Sequence, residues 1–242
     1  MKIGLLIPTT SKGRKWSTIK DSYLYNLTFK TFLLSQDLEH EYVFYIGIDN
    51  DDPIYDNKQQ KVLVNFNKIF KNVTVKFIYL NCSKGHLTKM WNILFRQAYD
   101  ENCDYFYQCG DDINFKTKGW VNDCILTLRK NNDVGITGPI NNNNMIITQA
   151  FVSRTHMKIF NYFFPEEIIN WGCDDWYNWV YKPNHFFPLK QHFCSNEGGD
   201  PRYDINNNAC FRLNYSKNVN HIRNFSRLLA EKHKPLIQQY LI

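Results

Sequence analysis

Two adjacent carboxylates, Asp111 and Asp112, follow an apolar run from Tyr105 to Cys109, and apolar sequence returns at Ile113. Carboxylates at the end of a strand can hold a hard divalent cation, and such a cation can stabilise a diphosphate as it leaves. An ordinary turn would explain the same residues, because Asp is favoured at turn positions. The pair therefore indicates a candidate metal site, with a plain turn as the alternative.

A second acidic pair, Asp174 and Asp175, stands between Trp171 and Trp176. We expect this pair to open a helix that runs to about Tyr181. Negative charge at a helix N-terminus is favourable and Asp is a good N-cap, so helix capping beside core tryptophans would explain the pair without any chemistry. The alternative is a carboxylate that moves a proton in a reaction.

The spacing of apolar residues predicts the elements that carry these carboxylates. Short apolar runs alternate with helical patterns in the first half, in a β-α-β-α-β order that favours an α/β fold with a mostly parallel sheet. The predicted strands span residues 3–7, 42–48, 75–80, 105–109 and 134–137, and the predicted helices lie near 23–34, 62–70, 87–98, 120–129 and 174–181. One continuous domain over residues 1–242 fits this pattern best.

Polar residues follow the predicted strands, where ligands bind in open α/β sheets. Pro8, Thr9 and Thr10 follow the first strand, Asp49 follows the second, and Lys84 follows the third. The asparagine run at 141–144 is interpreted as a solvated loop.

The composition describes a folded protein with a mild basic balance. A formal net charge of +6 over 242 residues suits a phosphate-bearing ligand and falls short of what nucleic-acid-binding proteins show. The seven cysteines have no zinc-like spacing, which predicts free buried thiols. The first apolar run is too short for a signal peptide and no stretch is long enough to span a membrane, so we expect a cytoplasmic protein.

Most of the chain resembles glycosyltransferases of the GT-A fold, with a family 2-like pattern, in the order of its sequence features. The features are the residues after the first two strands, a helix with Lys89 and Asn92, the Asp111-Asp112 pair, and an acidic, Trp-rich helix start. The stretch from Trp171 to Trp176 is similar to the acidic motif of N-acetylglucosaminyltransferase I. The resemblance implies a single GT-A (Rossmann-like) domain in which residues 1–115 bind a nucleotide sugar and residues 116–242 bind the acceptor.

The resemblance also implies a role for each candidate residue. Asp112 and His221 would hold Mn²⁺ or Mg²⁺, and Trp171 and Trp176 would offer flat faces to a sugar ring. One of the two helix carboxylates would be the catalytic base, with Asp174 as the first choice, Asp175 as the alternative, and neither excluded by spacing. The residues implied to bind the donor are Pro8, Thr9, Thr10, Asp49, Lys89, Asn92 and Asp111.

The implied activity is transfer of a sugar from a nucleoside diphosphate, expected to be UDP, to a hydroxyl of a glycan, lipid or protein, with inversion and with no nucleic acid partner. The sequence departs from the family pattern at Gly110, where many relatives have a further acidic residue. A GT-A-like module that binds carbohydrate or nucleotide without catalysis is the alternative, and both acidic pairs speak against it. The loop from Glu197 to Tyr203 has the composition of a lid over the donor.

Overall fold

A computed structural model describes residues 1–143, 145–199 and 219–242 of the chain. Eight strands in these ranges form one central sheet. The strands are β1 (Lys2–Thr9), β2 (Glu41–Ile48), β3 (Val73–Tyr79), β4 (Tyr105–Gln108), β5 (Ile113–Phe115), β6 (Ile136–Ile140), β7 (Phe151–Ser153) and β8 (Phe186–Asn196).

The sheet has the order β3-β2-β1-β4-β7-β6-β8-β5. The four neighbouring strands β3, β2, β1 and β4 are all parallel, as the β-α-β pattern predicted. In the second half, β7 is antiparallel to both β4 and β6, β8 is parallel to β6, and β5 is antiparallel to β8. The chain therefore folds as an α/β domain with a large central sheet whose first half is purely parallel and whose second half is mixed.

Seven α-helices in the described residues flank this sheet. They are α1 (Lys30–Ser35), α2 (Asn57–Val64), α3 (Leu87–Asp100), α4 (Trp120–Arg129), α5 (Arg154–Phe160), α6 (Cys173–Tyr181) and α7 (Val219–Leu241). A π-helical turn (Leu24–Phe29) leads into α1, and 3-10 turns lie at Ile19–Asp21 and Asn65–Lys68.

Side chains of the central strands alternate between two apolar cores, one on each face of the sheet. Along β1, Ile3, Leu5 and Ile7 enter the core that contains residues of α1, α2 and α4, whereas Leu6 enters the core formed with α3, α5, α6 and α7. Because successive side chains of a strand point to opposite faces, a strand covered on both sides is apolar throughout. This explains the continuous apolar runs of β1 and β2.

Helix boundaries differ from the prediction where polar capping decides them. The predicted helix near 62–70 begins instead at Asn57, because the Asp56 side chain accepts a hydrogen bond of 2.8 Å from the backbone N–H of Gln59. The predicted helix near 23–34 is divided into the π-helical turn and α1. Strands β5, β7 and β8 and helices α5 and α7 were not predicted from the sequence.

The six cysteines within the described residues are free thiols, and five of them are buried. Cys210 lies outside the described residues. None of the described helices combines the length and apolar content that a membrane crossing requires.

Candidate functional site

The carboxyl ends of β1, β2 and β4 open into a cleft formed by two adjoining cavities. The larger has a volume of about 540 Å³ and the smaller about 240 Å³. Residues that line both cavities, and so join them, are Pro8, Leu87, Asp112, Asn170, Trp171 and Asn196. This is the edge of the sheet where the sequence predicted a ligand.

The smaller cavity is lined in part by residues at or just after the ends of the first three strands. Pro8, Thr9, Thr10 and Asp49, all predicted to bind the donor, line it together. The backbone around them is held by Asp52, whose carboxylate accepts hydrogen bonds from the Thr10 hydroxyl at 2.9 Å and from the next residue's backbone N–H at 2.7 Å. The fold thus gathers this predicted group at one wall.

Arg14, which sequence reasoning did not single out, also lines the smaller cavity. Its Nη2 donates a hydrogen bond of 2.9 Å to the carbonyl oxygen of Gly198. The loop after β1 thereby contacts the segment after β8 at the junction of the two cavities. Only residues 197–199 of the predicted lid lie within the described part of the chain, and 200–203 lie outside it.

The two carboxylates after β4 differ in their surroundings. Asp111 is fully buried, and its Oδ2 accepts a hydrogen bond of 2.6 Å from the Thr9 hydroxyl, which also contacts the Tyr55 hydroxyl at 2.8 Å. Asp111 therefore connects β4 to the end of β1 at the floor of the larger cavity. Asp112 is half-buried and lines both cavities.

Two glycines make room for the Asp112 carboxylate. A Cβ at Gly110 would lie 2.5 Å from Asp112 Oδ1, and a Cβ at Gly198 would collide with Oδ2. A side chain at position 110 would therefore require the Asp112 carboxylate to shift from the position it has here.

The residues present fit a metal ion that arrives with its substrate. No group of three His, Cys, Asp or Glu side chains among the described residues is arranged to hold a metal by itself. Mg²⁺, however, is usually bound by one or two carboxylates together with the phosphates of a substrate. One carboxylate, Asp112, at the junction of two cavities suits that kind of binding.

The predicted helix at the second acidic pair is α6, with Asp174 and Asp175 in its first turn and both lining the larger cavity. The residue before the helix, Gly172, has a φ of +87°, and a Cβ there would lie 2.5 Å from Ser226 Oγ of α7. Glycine is required because a side chain would be strained and would also separate the two helices.

The electrostatic surroundings of these carboxylates favour the neutral acid. Burial and, secondarily, the charge of Asp175 raise the pKa of Asp174 to about 6. Burial also raises the pKa of Asp175, while Arg223 opposes the rise with its Nε 3.8 Å from Asp175 Oδ2. The protonation of Asp174 therefore changes about one pH unit below neutral.

The two tryptophans that flank the acidic pair lie in different environments. Trp171 is 42% exposed and lines both cavities. Trp176 is fully buried, and its ring packs edge-on against Phe160 at a centroid distance of 5.3 Å. The prediction that Trp176 stacks on a sugar is therefore wrong, because no face of its ring reaches the cleft.

The side chain of Asn92 is hydrogen-bonded to the backbone of a neighbouring turn. Its Oδ1 accepts hydrogen bonds of 2.9 Å from the backbone N–H groups of Phe163 and Phe164, and its Nδ2 donates to the Phe164 carbonyl at 2.8 Å. The carboxamide thus holds a turn against α3, and Asn92 lines neither cavity; its role with the donor stays a prediction. The Nζ of Lys89 lies 3.9 Å from Glu166 Oε2. The role of Lys89 with the donor stays a prediction.

His221 is exposed in the first turn of α7. The residues that follow it, Ile222 and Arg223, line the larger cavity. Its role toward a metal or a phosphate stays a prediction.

A group of polar uncharged residues in the larger cavity was missed by sequence reasoning. The group consists of Gln108, Asn141, Asn142, Asn143, Thr148, Gln149 and Asn196. The interpretation of 141–144 as a solvated loop is wrong for Asn141, which is buried; residue 144 is outside the described residues. The signal for Gln108 was present, since it is a polar residue in an otherwise apolar strand, three positions before Asp111.

The loop that carries part of this group is tied to α6 by Asn178. Its Nδ2 donates hydrogen bonds of 2.7 Å to the carbonyl oxygens of Ile147 and Asp174, and its Oδ1 accepts one of 3.0 Å from the Ile147 N–H. The amide-rich wall and the acidic helix start are therefore parts of one hydrogen-bonded unit.

No protein-family model matches the sequence, and no curated protein matches it. Solved structures do resemble the fold. The structure of S. aureus TarS 1–349 in complex with UDP-GlcNAc has a TM-score of 0.57 at 14% identity, covering 99% of this chain and 72% of that one. GalNAc-T7 with UDP, GalNAc and Mn²⁺ has a TM-score of 0.60 at 10% identity, covering 96% of this chain and 50% of that one.

This chain also spans 36% of a longer TarS chain, with a TM-score of 0.53. At such identities the likeness concerns the fold alone. The α/β fold with a large sheet flanked by helices, expected from the sequence, is thereby confirmed as that of GT-A glycosyltransferase structures.

Proposed function

We propose that the chain is a glycosyltransferase that moves a sugar from a nucleoside diphosphate, UDP, to a hydroxyl acceptor with inversion. One observation carries the proposal: Asp174, a carboxyl whose pKa is raised to about 6, lines the same cavity as Asp112. Perturbed carboxyls in a cleft are typical of reaction sites. The UDP named in the TarS and GalNAc-T7 complexes supports a nucleoside diphosphate as donor.

The two cavities divide the substrate between them in this proposal. The nucleoside occupies the smaller cavity, where Thr10 lies at the end of β1 and Asp49 at the end of β2. The diphosphate lies at the junction beside Asp112, and the sugar extends into the larger cavity toward Asp174. The exposed face of Trp171 meets the incoming acceptor, a hydroxyl of a glycan, lipid or protein.

Asp112 is the residue that would hold Mn²⁺ or Mg²⁺ together with the diphosphate, and His221 is the second candidate. When bound, the cation supplies positive charge that neutralises the leaving diphosphate. The Mn²⁺ named in the GalNAc-T7 complex supports a divalent ion for this fold.

Asp174 acts as the general base. Its carboxylate accepts the proton of the acceptor hydroxyl while that oxygen attacks the anomeric carbon and the diphosphate leaves from the opposite face. A pKa near 6 leaves Asp174 charged at neutral pH and makes it a stronger base than an ordinary Asp. Asp175 is the weaker candidate, because Arg223 stabilises its charged form.

The test is a panel of UDP-sugars, with Mn²⁺ present and then chelated, that follows UDP release and product anomeric configuration. Asp174→Asn and Asp112→Asn should each lower turnover by roughly 100- to 10,000-fold in folded protein. Asp51→Asn is the matched control, because Asp51 is exposed and pairs with Lys84 outside both cavities.

Near-normal turnover of Asp174→Asn would remove this residue from the mechanism. UDP binding without turnover on any donor and acceptor would instead favour the inactive binding module. Product with retained configuration would refute the single displacement.

A further inference from the structure

Two buried glutamines form part of the floor of the larger cavity. Gln108 is 3% exposed at the end of β4, and Gln149 is 4% exposed just before β7. They are held side by side because the backbone N–H of Gln108 donates a hydrogen bond of 2.9 Å to the carbonyl of Ala150. Neither has a part in the chemistry described above.

The orientation of the Gln149 carboxamide follows from its neighbours. The backbone N–H of Asn143 can only donate, and it donates a hydrogen bond of 2.7 Å to the side chain of Asn141. The Asn141 atom that accepts this bond is therefore Oδ1, which leaves Nδ2 facing Gln149. That Nδ2 donates at 3.0 Å to Gln149 Oε1, which also accepts from the Thr148 hydroxyl at 2.9 Å. The oxygen is therefore bound to the wall, and Nε2 is the remaining end of the side chain.

Gln108 is fixed in the same way. The backbone N–H of Ala150 donates to Gln108 Oε1 at 3.3 Å, which again leaves Nε2 as the remaining group. Within the described residues, neither Nε2 donates a hydrogen bond to the protein. Neither Nε2 is among the fully buried unpaired atoms of the described residues, so both are accessible from the cavity. A ligand that displaces solvent there has to bring acceptor oxygens, because each donor left unsatisfied would cost about 1 to 3 kcal/mol.

The charges around the cavity define that ligand further. Its charged lining residues among those described are Asp111, Asp112, Asp174, Asp175 and Arg223. A sugar hydroxyl can donate to a carboxylate and accept from an amide N–H at once, whereas a sugar carboxylate would meet an excess of like charge.

We propose that Gln108 and Gln149 form the subsite that binds hydroxyl oxygens of a neutral sugar ring through their Nε2 groups, and that this subsite discriminates against sugars that carry a carboxylate. The inference rests on the proposed function, because the sugar reaches this floor as part of a nucleotide donor. It adds the sugar class and two specificity-determining residues.

The experiment compares the affinity for UDP with that for UDP-glucose, UDP-galactose, UDP-N-acetylglucosamine and UDP-glucuronate by calorimetry. Wild type should bind at least one neutral donor ten times more tightly than UDP-glucuronate. Gln108→Leu and Gln149→Leu should each lower the affinity for the neutral donor that wild type binds most tightly by roughly three- to tenfold, while UDP affinity is unchanged.

Glutamate variants keep Oε1 on its wall partners and replace the N–H donors by a charged oxygen. Gln149→Glu and Gln108→Glu should therefore lower the affinity for neutral donors by tenfold or more, again with unchanged UDP affinity. Unchanged UDP affinity also shows that each variant is folded. Gln191→Leu, at an exposed position on β8 outside both cavities, is the matched control and should resemble wild type.

Equal losses for UDP and for UDP-sugars, or no loss at all, would overturn the glutamine subsite while leaving the transferase proposal intact. UDP-glucuronate binding as tightly as the neutral donors would overturn the selection against charge. Folded wild type that binds neither UDP nor any UDP-sugar would overturn the proposed function and this inference with it.

Discussion

Replacing Asp174 by Asn should make the protein more stable at neutral pH while it removes catalysis. The carboxylate stays charged at pH 7 in a place that favours the neutral acid, with a pKa of about 6 against an ordinary value of 3.8. The asparagine carboxamide has the same shape and can accept the same bond, 3.1 Å long, from the Asp175 N–H. Only the charge is removed.

The size of the gain follows from the pKa. A rise of the pKa of Asp174 from 3.8 to about 6 corresponds to roughly 3 kcal/mol, an upper bound for a carboxyl that is partly open to the cleft. The folded state binds the proton more tightly than the unfolded state, so wild-type stability falls as pH rises from about 4 to 6. The penalty is complete above pH 6 and absent below pH 4.

The assay is urea unfolding of wild type and Asp174→Asn at pH 7.5 and at pH 4. At pH 7.5 the variant should be about 1 to 3 kcal/mol more stable, and its thermal midpoint should be several degrees higher. At pH 4, close to the ordinary pKa of 3.8, most of this difference should be gone. The exposed Asp51→Asn variant should show no gain at either pH.

Equal or lower stability of Asp174→Asn at pH 7.5 would refute the argument that this carboxylate is held in an unfavourable place. A gain of the same size at pH 4 would assign it to packing rather than to charge. Either outcome would weaken Asp174 as the tuned base, whatever its effect on turnover.

Three further results are expected. Turnover should fall about tenfold from pH 7 to pH 5 in a pH-rate profile, since the deprotonated fraction of Asp174 drops from about nine tenths to one tenth; a flat profile would contradict this. Gly198→Ala should weaken Mn²⁺-dependent UDP binding by about tenfold or more in calorimetry, because its Cβ would displace the Asp112 carboxylate, and unchanged affinity would show that the segment adapts. Trp176→Ala should cost about 3 to 5 kcal/mol in urea unfolding without changing UDP-sugar affinity of the folded protein; lost affinity at full stability would restore its predicted role at the site.

The elements with strong apolar periodicity were predictable from the sequence. Helix α4 has the predicted bounds of 120–129, and β2 begins one residue before the predicted start. Strand β8 was missed because Lys190, Gln191 and His192 interrupt its apolar pattern. Its place in the sheet depends on parallel pairing with β6, about 50 residues earlier, which no local pattern reveals.

At the site, residue type and strand position were predictable, and side-chain direction was not. Trp171 and Trp176 flank the same acidic pair, but Trp171 precedes α6 while Trp176 lies on the helix face that turns to the core. Asn92 is a polar residue on an apolar helix, and its partners are backbone groups about 70 residues away. Such contacts exist only once the chain has folded.

The position of Trp171 gives the protein a built-in optical probe. Its indole is partly in solvent and borders both cavities, whereas Trp120 and Trp176 are buried, line neither cavity, and give emission that a ligand there changes little. Occupation of either cavity changes the polarity around Trp171. Intrinsic fluorescence can therefore follow the binding of a ligand in stopped-flow mixing without a label, and Trp171→Phe removes the contribution of Trp171.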